Sequence, residues 1–183
     1  MLVHRFDQPD RFVSGTVGPP GDRTFFIQAR AGSRITSVAL EKEQVAVLAD
    51  RLDELLDQVD EAADSTASDA AVTEAATPDA AADTAPLDQP IEQEFRVGTM
   101  TLAWDDDSKA VVIEAFAATE SEDAEADEVL IVQLPPAMAR VFSERAKLVV
   151  ASGRPNCQFC GQPIDPDGHI CPRSNGHKRL SSD

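Results

Sequence analysis

The sequence predicts an α+β fold, mostly antiparallel and made of two similar βββα halves. Two observations predict it. Short runs rich in β-branched and aromatic residues, divided by turns bearing Gly, Pro or Asp, occur in two sets of three. Each set is followed by apolar residues at helical spacing. A third observation adds a separate C-terminal module: all three cysteines of the 183-residue chain lie between positions 157 and 171.

Arg11–Val17 reads as the first strand, and Gly18-Pro19-Pro20-Gly21-Asp22 turns it. Arg23–Arg30, with Phe25, Phe26 and Ile27, is the second. Ala31-Gly32-Ser33 leads into the third, Arg34–Leu40. From about Glu41 to Val59, the residues Val45, Leu48, Leu52, Leu55 and Val59 recur three and four apart, while Glu41, Glu43, Asp50, Asp53 and Asp57 lie off that stripe. The stripe is too short to sustain a coiled coil, so it predicts a helix packed on the sheet. Residues 60–86 are mostly Ala, Asp, Glu, Ser and Thr, with too little apolar surface to offset the entropy of ordering. They predict a disordered linker or surface loop.

The second half follows the same order. Glu94–Trp104 is a strand, Asp105–Ser108 a hairpin turn, and Ala110–Ala118 a strand in which Val111, Ile113 and Ala115 alternate with Val112, Glu114 and Phe116. An acidic loop, Glu120–Glu128, precedes the strand Val129–Leu134. Pro135 and Pro136 open a helix to about Ala151, since a first-turn proline removes no helical hydrogen bond. Phe12–Thr16 resembles Phe95–Thr99, and Leu40, Val45, Leu48, Arg51 and Leu55 fall against Leu134, Ala139, Phe142, Arg145 and Val149 at one constant offset, which points to an internal duplication. The chain therefore divides into a first half at 1–59, an acidic linker at 60–90, a second half at 91–152 and a tail at 153–183.

The formal charge of −17 disfavours a nucleic-acid partner for the body of the chain. Residues 53–94 and 105–128 together hold 23 of the 33 acidic side chains, so the acidity is concentrated in spacers. The tail has a slight basic excess, with Arg154, Arg173, Lys178 and Arg179. No apolar run approaches the roughly 20 residues that cross a bilayer. Met1–Asp10 carries charges and no apolar stretch, which predicts no secretory signal and a cytoplasmic protein. An odd number of clustered cysteines argues against a disulfide scaffold.

Cys157-x-x-Cys160 and His169-x-Cys171 supply three thiols and one imidazole, a ligand set suited to tetrahedral zinc. A tight turn at Cys-x-x-Cys aims both sulfurs at one ion, helped by Gly161 and Pro163. The turn Asp165-Pro166-Asp167-Gly168 brings back His169 and Cys171, which face the same way in an extended segment. The tail thus predicts a small zinc-knuckle module with a structural ion that leaves no open position. His177 is an alternative to His169, and iron an alternative to zinc. A redox Cys-x-x-Cys would sit at a helix N-terminus, for which Gly161 and Pro163 are poor residues. A catalytic zinc would need one of the four ligands to stand off, and buried unligated cysteines are the plain structural reading.

Elsewhere the plain reading is the stronger. Gly15–Gly21 lacks the Lys and Ser/Thr of a phosphate loop. Asp105–Asp107 reads as a solvated hairpin tip rather than a cation site. His4 lies beside a mobile terminus. Arg51 and Arg145 occupy matching helix positions, which suggests surface charges or, less directly, a shared anion or partner contact.

On Phe12–Gly18, Leu40–Val45, Glu94–Met100 and the tail signature Cys157–Arg173, the chain resembles an actinobacterial domain-of-unknown-function family. The resemblance covers most of the chain outside the acidic linker. It implies no activity and supplies no functional residues. Its members occur alongside a protein resembling a lipid-kinase-like enzyme and one resembling a histidine phosphatase, which implies a role as partner or adaptor. The function expected is thus a non-catalytic binding or adaptor protein with a protein partner. The alternatives are a nucleic-acid- or ribosome-associated factor using Arg154, Arg173, Lys178 and Arg179, and an enzyme of unknown reaction.

Overall fold

The computed structural model of the protein describes residues 1–19, 21–66, 83–121 and 124–152, together with Phe159 and Cys171. The elements are β1 (Leu2–Asp7), β2 (Arg11–Val17), β3 (Thr24–Ala31), β4 (Arg34–Leu40), α1 (Lys42–Thr66), β5 (Gln93–Asp105), β6 (Ala110–Ala117), β7 (Glu128–Leu134) and α2 (Pro136–Ala151). The strands form one seven-stranded sheet in the order β1-β7-β6-β5-β4-β3-β2. The architecture is α+β and mostly antiparallel, with four strands before α1 and three before α2. Two pairings are parallel: β4 with β5, where the chain crosses over through α1, and β1 with β7.

β1 is an addition to the expected elements. It forms one edge of the sheet and β2 the other, yet residues 8–10 alone join them. Six strand spacings would separate flat edges by about 29 Å, whereas the chain from Asp7 to Arg11 reaches about 14 Å. The sheet therefore coils strongly, in the sense its twist allows. The β1 end comes against the β3–β4 hairpin. Arg34 donates to Arg5 O and stacks 3.9 Å above the Phe6 ring, and Asp10 N donates to Arg30 O at 2.8 Å.

Both helices cover one face of the sheet. Val45, Leu48, Ala49, Leu52 and Leu56 of α1 are buried there, with Leu55 half-buried. From α2, Phe142 stacks on Phe12 of β2 at 4.5 Å between centroids, and Ser143 donates to Ala49 O at 3.0 Å. α1 begins where Gln44 Oε1 accepts from Glu41 N at 2.8 Å, half of a capping box. It runs to Thr66 rather than ending near Val59. Near the end of the apolar stripe, Arg140 of α2 reaches Asp57 and Asp60 at 3.1 and 2.6 Å.

The stretch expected to be a disordered linker is therefore corrected at both ends, being helical through Thr66 and packed from Asp83 onward. Residues 83–91 form a strap over the opposite face of β2–β4. There Leu87 and Ile91 join Val13, Phe26 and Ala39 in a second, smaller apolar cluster. Gly15 makes room for it: a Cβ at that position would lie 2.6 Å from Leu87 Cγ. Among the described residues no helix is long and apolar enough to cross a membrane.

Candidate functional site

Of the four expected zinc ligands, Cys171 is described, and it is buried at 6% exposure. Cys157, Cys160 and His169, and the basic residues Arg154, Arg173, Lys178 and Arg179, lie outside the described residues. Phe159, between the first two cysteines, is 63% exposed.

The densest polar cluster among the described residues was not expected from sequence. It forms where α2, the edge strand β2 and the strap meet. Arg145 projects from α2 and is buried at 7% exposure. Its Nε donates to Ser14 O of β2 at 2.6 Å, its Nη2 to Ala85 O at 2.7 Å, and its Nη1 to the Asp83 backbone carbonyl, with the Asp83 carboxylate 3.3 Å away. Arg11 of β2 clamps the same segment from the other side. It donates to both carboxylate oxygens of Asp83 at 2.5 and 3.0 Å, to Asp88 at 2.9 Å and to Pro86 O and Ala85 O at 3.0 Å each. Gln28 completes the clamp: its amide accepts from Asp88 N at 2.7 Å and donates to Asp88 O and Ser37 Oγ, both at 3.0 Å.

A guanidinium offers five donors in a planar fork, which lets one side chain satisfy backbone carbonyls from two elements at once. The hydrogen bond from Arg11 holds the Asp83 carboxyl below the usual carboxylate range, against burial, which acts the other way. Burial lowers the pKa of Arg145, and the charge of Asp83 opposes that. The Arg145 and Arg11 guanidiniums are engaged by protein carbonyls and carboxylates. The cluster's chemistry is that of a fastener joining helix, sheet edge and strap. Two buried atoms at its edge are left without a hydrogen-bond partner, the Ser14 hydroxyl and Nε of Arg30, whose Nη1 lies 3.6 Å from Asp88.

Arg51, the counterpart of Arg145 by sequence offset, stands in a different setting. It is exposed, pairs with Glu54 at 2.7 Å, and lies on the rim of a groove of about 400 Å³ between α1 and β5, floored by Leu48, Met100 and Leu102. The two arginines therefore share no anion site. The Asp105–Asp107 tip is internally satisfied. Asp105 accepts from Asp107 N, Ser108 Oγ and Gln133 Nε2, and Asp106 from Trp104 Nε1 and Lys109 Nζ.

Residues 4–171 match a family described as protein of unknown function (DUF3090), and the chain belongs to that family. The matched range takes in both helices, nearly all of the sheet and the whole Cys157–Cys171 stretch. No curated protein and no solved structure matches the chain.

Proposed function

We propose that this DUF3090 protein is a non-catalytic binding or adaptor protein, with a core of two halves of common origin and a C-terminal module clipped by structural zinc. The ligand set Cys157, Cys160, His169 and Cys171 carries this reading. Its last member is buried, as a thiolate in a closed zinc site would be, and all four lie in the matched family range. Four such ligands fill a tetrahedral ion and leave no position for a substrate. A segment so short has little core of its own, so metal binding and folding of the tail are coupled. The cytoplasm, where thiols stay reduced, suits such a site. The repeated βββα order supports the common origin of the halves, and the contrast between Arg51 and Arg145 is what divergence after duplication would produce.

The partner we propose is a protein of a phosphate-linked pathway, kinase-like or phosphatase-like, in keeping with the family resemblance. The purified full chain should carry zinc, and Cys157→Ser should lose it by elemental analysis. Tagged full chain should capture a kinase-like or phosphatase-like protein from native cells. Capture of nucleic acid instead, falling steeply with salt, would favour the basic-tail alternative and overturn the adaptor reading.

A further inference from the structure

We infer that His4, Glu94 and Glu128 form a thiol-free site for a divalent transition-metal ion, built from residues other than the cysteine–histidine set of the tail. The fold brings them together from three strands. β1 runs parallel to β7 with Leu2 opposite Glu128 and His4 opposite Leu130, so His4 and Glu128 lie on one face, two residues apart in register. β5 brings Glu94 to the same end of the sheet, beside Phe95, whose ring lies 6.1 Å from that of His4. One ligand atom from each of the three residues lies within 4.8 Å of the other two.

The spacing fits an ion. Metal–nitrogen and metal–oxygen bonds of about 2.0–2.2 Å hold neighbouring ligand atoms about 3.0–3.5 Å apart. His4 Nε2 and Glu128 Oε2 already stand at 3.0 Å. Glu94 is exposed, so its side chain is free to turn the remaining distance. The charges fit as well. Among the described residues neither Glu94 nor Glu128 has a lysine or arginine ion partner. The basic residues nearest in sequence are engaged elsewhere, Arg5 with Asp7 and Arg96 with Glu41. Two carboxylates lie around one half-buried imidazole that already hydrogen-bonds to Glu128, and with no lysine or arginine at hand a divalent cation would balance their charge.

One imidazole and two carboxylates suit Mn²⁺, Fe²⁺ or Zn²⁺, whereas the three thiols of the tail select zinc. Three protein ligands also leave coordination positions open to water or to an oxygen of another molecule. The test is a Mn²⁺ titration of the metal-free full chain, followed by the loss of the free-ion signal in electron paramagnetic resonance. One Mn²⁺ should bind per chain. His4→Gln and Glu128→Gln should each weaken it by about tenfold or more. Glu94→Gln, an exposed change that leaves folding intact, should weaken it too. Cys157→Ser should leave Mn²⁺ binding unchanged, which separates this site from the tail. Absence of binding at millimolar Mn²⁺, affinity unmoved by the three substitutions, or loss of Mn²⁺ in Cys157→Ser would each overturn the assignment.

Discussion

Replacing Arg145 by methionine keeps the aliphatic stem and removes the donors that fasten three elements. The cost follows from which acceptors are left without a partner. Ala85 O still accepts from Arg11, and the Asp83 carboxylate keeps both of its bonds to Arg11. Ser14 O and Asp83 O lose their Arg145 donor. An unsatisfied buried acceptor costs about 1–3 kcal/mol, and relief of the guanidinium's own desolvation returns part of this. The expected loss is about 3 kcal/mol, the lower end of what breaking a buried charged network costs. For a chain of this size that lowers Tm by roughly 6–12 °C. Arg51→Met, at the matching but exposed position, should change stability by about 0.5 kcal/mol or less. Urea and thermal unfolding of both variants against the parent chain measure the difference. A loss below about 1 kcal/mol for Arg145→Met, or equal losses for the two, would refute the fastener argument.

Three further outcomes follow from the same region. Gly15→Ala should destabilise by about 1–3 kcal/mol through overpacking against Leu87. In the Leu87→Ala background that penalty should largely vanish, which a double-mutant cycle in urea detects. The Asp83 carboxyl is depressed in the folded state, so its contribution is fully present above the ordinary carboxylate range near pH 4 and is lost as pH falls through its own lower value. Asp83→Asn should accordingly destabilise at pH 7 and show a shallower acid limb in stability measured from pH 7 to pH 2. Ser14→Ala removes a buried hydroxyl that has no partner, so thermal unfolding should show it neutral or slightly stabilising.

Much of the fold was legible because local pattern and final burial agree. In β6, Val111, Ile113 and Ala115 are buried while Val112, Glu114 and Phe116 are half-exposed, the alternation the sequence shows. Pro135 as N-cap and Pro136 in the first turn mark the start of α2. What was not legible depends on contacts distant in sequence. β1 buries Phe6 alone among its residues, and its pairing with β7 spans most of the chain, so no local alternation announces it. The strap looks like spacer because Leu87 and Ile91 are its only large apolar residues. Its order comes from Arg11 and Arg145, which lie more than 50 residues away on either side. Arg145 itself reads as a surface charge, since nothing in a helical pattern says that a helix face meets a sheet edge with open carbonyls. His4 reads as terminal for the same reason, since only the distant pairing of β1 gives it a structural setting. The cysteine and histidine spacing of the tail suggests a ligand set by residue type alone, and Cys157, Cys160 and His169 lie outside the described residues.

The most direct test of the zinc-clip reading is X-ray absorption at the zinc edge on full-length chain loaded with one equivalent of zinc. A first shell of three sulfurs at about 2.3 Å and one nitrogen at about 2.0 Å is the expected result. Cys157→Ser should lose that sulfur-rich shell. A shell of oxygen and nitrogen alone in the parent chain, or an unchanged sulfur count in the variant, would contradict the account.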